Sequence, residues 1–461
     1  MRIYNTATRQ IEEFIPWNND KVTMYTCGPT VYHYAHIGNL RTYIMEDVLE
    51  KTLNYLGYNV KRCMNITDVG HLSSDADTGD DKMVKSAKEA HKTVLEIAKY
   101  YTDAFYSDLD KLNLKKPELI SPATDNIEEY IKIIEKLINT GYAYSAGGNI
   151  YFDTSKLKDY YKLTNQDEND LIGGVRDTVD IDENKKNKTD FVLWFTKSKF
   201  DSQDLKWDSP FGVGYPGWHI ECSCIGMKYL GEYLDIHCGG VDNIFPHHTN
   251  EIAQSEAYLE HPWCKYWVHG EHLNDTSGKM SKSKGETLTI SLLENKGYNP
   301  LSYKFMCLQS HYRKQLTFSY SSLDIAENAY KKLKSRVLSL KEDGDIDEDA
   351  YSKYNDLFKK ALEDDLNTAN AITTLYDVVK SDINDSTKIK LINDFDKVLS
   401  LDLLKEDTKD IDEDFINKKI EERNIAKQNK DYEKADQIRN ELLNMGIILK
   451  DTREGTSFEV K

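Results

Sequence analysis

Three stretches of the chain carry residues whose types and spacing could do chemistry. In residues 235–255 a short apolar run ends on Gly239-Gly240 and Asp242, and Pro246, His247, His248 and Glu251 follow. Pro246 suits the first turn of a helix, because its missing N–H is not needed there. Counted from that point, His247 and Glu251 are four apart and share one helix face. An imidazole and a carboxylate so placed can hold one metal ion. A strand that ends on Gly-Gly and an aspartate is also where open α/β sheets bind nucleotides. The second stretch puts His33, His36 and Gly38 in a turn that opens a helix. Backbone N–H groups and a positive dipole make such a helix start a phosphate site, and imidazoles add donors. The third, Lys279-Met280-Ser281-Lys282-Ser283, lies between glycines. Two lysines there would make a cationic clamp for a transferring phosphate or a leaving pyrophosphate. One cationic loop follows the first strand and the other follows the last, so both can meet at the carboxyl edge of one sheet.

The elements that must position these groups follow from periodicity. Residues 21–27 alternate as a strand, and Gly28-Pro29 break it. Apolar residues at 40, 44, 45, 48, 49, 53 and 56 mark an amphipathic helix. Residues 59–66 are a second strand, which completes a βαβ unit with parallel strands. Residues 69–115 read as a polar loop and charged helices, and 126–140 as a helix. Short strands are expected at 149–153 and 190–195, inside an insertion of about 115–205. Residues 218–230 form a helix that carries Cys222, and 267–273 a short strand. From 320 onward the pattern is helical: a charged linker at 341–353, helices at 354–364, 368–381 and 386–399, and an acidic break at 405–414. The last segment is a helical pair followed by strand-like pieces.

The 461 residues suit two to four domains, and 39% hydrophobic residues give an ordinary core. The net charge of −18, from 60 basic and 78 acidic residues, excludes a general polyanion binder. Within 415–440, however, seven Lys/Arg face five Asp/Glu, a local reversal. No apolar run reaches the roughly 18 residues of a membrane span, and the N-terminus has no apolar signal core. The seven cysteines (27, 63, 222, 224, 238, 264, 307) are odd in number and scattered. That suits reduced thiols in a cytoplasmic protein, some of them available as metal ligands.

Residues 36–39 (HIGN) together with 279–283 (KMSKS) resemble the signature pair of class I aminoacyl-tRNA synthetases. Within that class the chain is similar to the cysteinyl-tRNA synthetases. The matching stretches are 25–32 (YTCGPTVY), 65–68 (NITD), 190–194 (DFVLW), 216–223 (PGWHIECS), 245–255 (FPHHTNEIAQS), 310–313 (SHYR), 430–439 (KDYEKADQIR) and 446–452 (GIILKDT). They span the chain end to end.

The resemblance implies an α/β fold: a Rossmann-like parallel-sheet catalytic domain over 1–270 with the insertion, then a signature-loop region at 271–319. A helical bundle at 320–400 and a small C-terminal anticodon-binding domain at 401–461 would follow. It implies a zinc ion in the amino-acid pocket, with ligands Cys27, Cys222, His247 and Glu251. Two thiolates, an imidazole and a carboxylate are a usual zinc set. Cys224, Cys238 and His248 are the competing choices; Cys224, two residues from Cys222 on a helix, points elsewhere and reads as a core thiol, and His248 ranks below His247. A soft metal prefers thiolate over hydroxyl, so it separates cysteine from serine without an editing domain.

ATP with Mg²⁺ is the implied co-substrate. His33, His36 and Asn39 would line its phosphates, Gly240 and Asp242 would flank the adenosine, and Lys279 and Lys282 would meet the phosphates. Thr67 and Trp218 would shape the cysteine pocket, and Asp436 and Asp451 would accept from bases of the anticodon. The implied partners are L-cysteine, ATP and tRNA(Cys); the protein would be a cytoplasmic monomer. The chain departs from the family at Asn39, where a histidine is usual. It departs again at Lys427, in place of an arginine, and at Phe458, in place of a tryptophan. Two other readings remain: a ligase that joins cysteine to a small amino-sugar, and a zinc protein that binds RNA without catalysis. The motif-bearing tail counts against the first and the intact signature loops against the second.

Overall fold

A computed structural model describes residues 1–69, 82–90, 92–164, 182–197, 205–275, 278–279, 287–406, 413–429, 431–444, 447–452 and 455–460. They divide into two compact units, 1–404 and 405–461.

The first unit is built on a five-stranded sheet whose strands all run parallel. In chain order the strands are Val22–Thr26, Val60–Ile66, Leu119–Pro122, Leu234–Gly240 and Cys264–Gly270. Numbered from one to five, they lie side by side as 3-2-1-4-5, the Rossmann-like order. The order reverses between the first and fourth strands, which pair from Ile236 with Met24 to Cys238 with Thr26. The carboxyl ends of those two strands carry Cys27 and Gly239-Gly240, so both motif stretches flank one crevice.

The first strand is buried throughout, as a central strand covered on both faces must be. Helix Ile37–Tyr55 follows it and lays Leu40, Ile44, Val48 and Leu53 on the sheet. Buried Arg41 on that helix donates to the carbonyls of Glu271, His272 and Lys314, tying the helix to the segment after the fifth strand.

Four expectations shift. Leu119–Pro122 pairs parallel with Val60–Ile66 and is an edge strand of the main sheet, so the insertion begins after it rather than at 115. The insertion ends later than 205 as well: Tyr215–Pro216 closes a four-stranded antiparallel sheet with Ala143–Ala146, Asn149–Phe152 and Phe191–Phe195. The helices from Tyr320–Leu338 to Asp385–Leu399 do not pack as a separate body. Leu323, Leu362 and Phe395 belong to the same hydrophobic cluster as Val22 and Leu40. The charged 341–353 segment also holds the start of helix Glu348–Glu363. Asp347 caps that helix by accepting from the Ala350 N–H, and acidic residues suit its first turn.

In the second unit, helices Glu413–Gln428 and Tyr432–Asn444 precede a hairpin of Ile447–Thr452 and Gly455–Val460. Ile416, Ile438, Leu442, Ile447 and Leu449 form its own small core.

Candidate active site and metal centre

A cleft of about 370 Å³ opens at the strand-order reversal. His33, His36, Gly38 and Asn39 line one side; Gly239, Gly240, Asp242 and His272 line the other, with Cys27 and Trp218 also on its walls.

His36 is the N-cap of helix Ile37–Tyr55. Its Nδ1 accepts from the Asn39 N–H at 3.1 Å, and Asn39 Oδ1 accepts from the His36 N–H at 3.3 Å. This reciprocal capping box turns the Nε2 side of a neutral His36 into the donor. It also gives Asn39 a local task that the usual histidine is not needed for. Gly38 is required by close approach: a Cβ there would lie 2.9 Å from His36 Nδ1. Gly28 is required more strictly, because a Cβ would fall 1.6 Å from the Asn65 carbonyl oxygen.

The four expected metal ligands come together. Cys27, Cys222, His247 and Glu251 present donor atoms that all lie within 4.8 Å of one another. Cys27 Sγ is 3.9 Å from Cys222 Sγ, and His247 Nε2 is 3.0 Å from Glu251 Oε1. Cys222 comes from helix Trp218–Leu230, as its periodicity indicates. Cys224, on the same helix, is buried among Ile127, Ile134 and Trp194, as expected for a core thiol.

The spacing of four brings His247 onto Glu251, and His248 is a further neighbour of the same donors. His248 Nε2 lies 3.2 Å from Cys27 Sγ and 3.9 Å from Glu251 Oε1. His237 went unrecognised altogether. Its Nε2 is 2.9 Å from Glu251 Oε2, and Cys27, His237, His248 and Glu251 form a second overlapping donor group. The available signal was an imidazole inside a buried, apolar-leaning strand.

A layer of further contacts orients the donors. His219 Nδ1 meets His247 Nδ1 at 3.0 Å, and Trp218 stacks on His247 with ring centroids 4.1 Å apart. His248 Nδ1 meets His269 Nε2 at 2.8 Å, and Thr6 holds the far side of His269 at 2.7 Å. Such contacts set the ring tautomers and angles of metal-binding imidazoles. Thr67 belongs to this layer rather than to the cleft wall. It is buried, accepts from Asn65 Nδ2 at 3.0 Å and donates to Glu221 at 2.6 Å.

Burial opposes charge on every donor, and neighbours decide the outcome. Burial would raise Glu251, but His237 and His247 hold it down to about 2. Burial would lower His247, but Glu251 and Cys222 raise it to about 10. The Cys222 thiol falls to about 6 despite burial, because Cys27 bonds to it and His247 is beside it. Cys27 moves the other way, pushed well above its ordinary value by burial and by Cys222. A divalent cation would relieve this opposition, since it favours two thiolates together. The donor set therefore fits a metal such as zinc.

The remaining expected residues are placed as follows. Asp242 pairs with His272 at 2.9 Å on the cleft rim. Lys279 sits in Gly278–Lys279, opposite Asn274 in a short antiparallel pair. Lys282 lies outside the described residues. In the second unit Asp436 is exposed on helix Tyr432–Asn444. Asp451 differs from expectation, because its carboxylate already serves the protein. It accepts from Arg423 at 2.8 and 2.9 Å, from Lys427 at 2.9 Å and from Thr456 at 2.8 Å. Those donors hold it well below the ordinary carboxylate range.

A parallel sheet in this order, with a cleft at the reversal, is a Rossmann-like nucleotide-binding fold. Residues 13–328 match the model of the tRNA synthetases class I (C) catalytic domain, and residues 357–401 match the DALR domain. The chain is 47% identical to a cysteine–tRNA ligase of Treponema denticola, over 100% of this chain and 99% of that one. It is 42% identical to the Borrelia turicatae cysteine–tRNA ligase over 99% and 98%, and 39% identical to that of Treponema pallidum over 99% of each. The fold resembles that of Mycobacterium tuberculosis methionyl-tRNA synthetase in complex with methionyl-adenylate. That likeness has a TM-score of 0.55 at 14% identity and covers 83% of this chain and 90% of the other. The chain belongs to the cysteine–tRNA ligase family of class I synthetases. It is an enzyme, a ligase of protein biosynthesis that joins cysteine to tRNA. No helix among the described residues is long and apolar enough to cross a membrane.

Proposed function

We propose that the cleft activates cysteine with ATP and then passes it to the 3′ end of tRNA(Cys), selecting cysteine by its thiol through a zinc ion. The observation that carries this is the set Cys27, Cys222, His247 and Glu251, the last three buried, gathered within 4.8 Å with Cys27 on the wall of a cleft that His36 also lines. Bound zinc would supply a soft Lewis acid that prefers thiolate to hydroxyl. His237 and His248 share Cys27 and Glu251 with this set, and His237 holds the carboxylate at 2.9 Å.

The rest is positioning and charge. The cysteine carboxylate oxygen bonds to the ATP α-phosphorus, the bond to the bridging oxygen breaks, and Mg²⁺-pyrophosphate leaves. No protein nucleophile takes part. His36 donates from its Nε2 side to the phosphates, and His33 and the Asn39 amide lie beside it. Lys279 and Lys282 meet the charge that grows on the leaving pyrophosphate. Gly240 leaves room for the adenosine, and Asp242 accepts from a ribose hydroxyl. Trp218 stacks on His247 and closes the cysteine side of the pocket. A ribose hydroxyl of the terminal tRNA adenosine then attacks the activated carbonyl carbon, and AMP leaves.

The second unit would read the tRNA anticodon. Asp436 offers an exposed acceptor there, while Asp451 acts by holding Arg423 and Lys427 in place. Cysteine-dependent ATP–pyrophosphate exchange, with and without a chelator, tests this function. Exchange that ignores cysteine, or that survives removal of all zinc, would overturn it.

A further inference from the structure

Beside the mouth of the cleft stands a group of aromatic rings that activation does not use. Helix Val94–Lys111 buries Val94, Ile97, Ala98 and Phe105, and its N-terminus is fixed by the Thr93–Glu96 capping box. Tyr100 and Tyr101 lie beyond that buried face, and Tyr100 is 45% exposed. Tyr101 stacks on His33 with centroids 6.0 Å apart and planes 4° apart. Tyr34 meets Tyr101 edge-on at 5.0 Å, and Tyr100 meets Tyr101 edge-on at 5.1 Å. The hydroxyls of Tyr34 and Tyr100 are 2.5 Å apart, which locks the two rings together. Lys92 Nζ lies 4.9 Å over the Tyr100 ring. Exposed Lys85 and Lys88 follow on the preceding helix, Lys82–Ala90.

This group is continuous with the active site, because Tyr32, His33, Tyr34 and Tyr101 also line the cleft. Rings that served only the core would be covered. Here the outermost ring faces solvent, and the Lys92 cation lies over it. Proteins hold single-stranded nucleic acid with this combination, because every base has a face to stack and every nucleotide a phosphate to pair. A chain of net charge −18 has little general attraction for RNA, so contacts near the cleft must come from stacking and a few local cations.

We propose that Tyr34, Tyr100 and Tyr101, with Lys92 at their edge, form a stacking platform that leads the single-stranded 3′ end of the tRNA into the cleft. This rests on the tRNA-charging function above. Tyr100 is a positioning residue: it receives a base before the terminal adenosine reaches the activated cysteine, and it takes no part in adenylate formation.

The test uses the full-length enzyme and tRNA(Cys) transcript with 2-aminopurine near the 3′ terminus. Wild-type enzyme should quench the probe as the base stacks, and Tyr100→Ala should not. Tyr100→Ala should raise the KM for tRNA roughly 5- to 150-fold, the range of one lost base–aromatic stack. Cysteine-dependent pyrophosphate exchange should be unchanged in the same variant. Tyr100→Phe keeps the ring and should stay near the wild-type KM. Three results would overturn the platform: no quenching by the wild-type enzyme, charging by Tyr100→Ala at the wild-type KM, or a loss in Tyr100→Phe as large as in Tyr100→Ala. Absence of cysteine-dependent exchange in the wild-type enzyme would instead overturn the activity on which the platform rests.

Discussion

Two glutamates of the first unit are equally hidden from water and carry opposite charge states. Glu251, fully buried beside the cleft, has His237 at 2.9 Å and His247 at 3.0 Å and is held at about 2. Glu46, 1% exposed on helix Ile37–Tyr55, finds no hydrogen-bond donor among the described residues for either oxygen. Burial pushes it up to about 8; Arg62 opposes this, but that guanidinium already pairs with Glu50 at 3.2 Å. Burial alone therefore does not decide whether a carboxylate is an anion. The partners decide, and only Glu251 is built to stay charged where a cation is needed.

The strongest way to break the contrast is to remove the donor set on the Glu251 side. Cys222→Ser and Glu251→Gln should each lose about one equivalent of zinc and nearly all cysteine activation. The fold should largely survive in Cys222→Ser, because the set serves the substrate. Metal analysis, pyrophosphate exchange and circular dichroism check this, and normal activity in either variant would remove the ligand assignment.

Lys282→Ala leaves both glutamates untouched and asks whether charge stabilisation is separate from amino-acid selection. Adenylate formation should slow by roughly 2.7–4 kcal/mol, while the KM for cysteine moves little. An unchanged exchange rate would mean that the loop does not reach the phosphates.

Ending the chain at Leu404, where the first unit closes, isolates the Glu251 chemistry from the tail. Leu401 and Leu403 are fully buried in the first unit, so a cut at residue 400 would damage its core. The shortened protein should keep cysteine-dependent exchange and charge tRNA slower by at least an order of magnitude, because distant binding energy is lost. Charging at the full rate would deny the tail its role.

The other arm of the contrast is Glu46→Gln. The folded value of Glu46, about 8, lies above its ordinary 4.5, so the folded protein keeps a proton that the unfolded chain releases. Its contribution is whole below about 4.5 and is lost as pH rises toward 8. Wild-type stability should therefore decline across that window, and Glu46→Gln should flatten the decline by on the order of a few kcal/mol. Denaturant melts at pH 5 and pH 8 measure it; equal slopes would mean that Glu46 has a partner after all.

Much of the molecule was legible along the chain because its signals are local. The helix carrying Cys222 runs from Trp218 to Leu230 as expected, whereas Gly239 and Gly240, expected to break the fourth strand, are paired within it. The four metal donors were reached through resemblance, since three distant segments carry them and no spacing rule joins them. Residue types and periods of 2 and 3.6 are written in any short window. The paired signature loops add a long-range expectation, that two phosphate-binding turns share one sheet edge; residues 280–286 of the second lie outside the described residues.

Tertiary structure alone decided the rest, because it depends on which distant backbones lie side by side. His237 joins the site only because the fourth strand pairs with the first, opposite Tyr25, and brings it under Glu251. His248 joins because it packs against Cys27, 221 residues away in the sequence. Leu119–Pro122 became a sheet edge by pairing with a strand some fifty residues away, and Asp451 became a holder of Arg423 and Lys427 once the hairpin met the helix. A side chain's charge and task follow from the partners that folding delivers, and those partners are far away in the sequence.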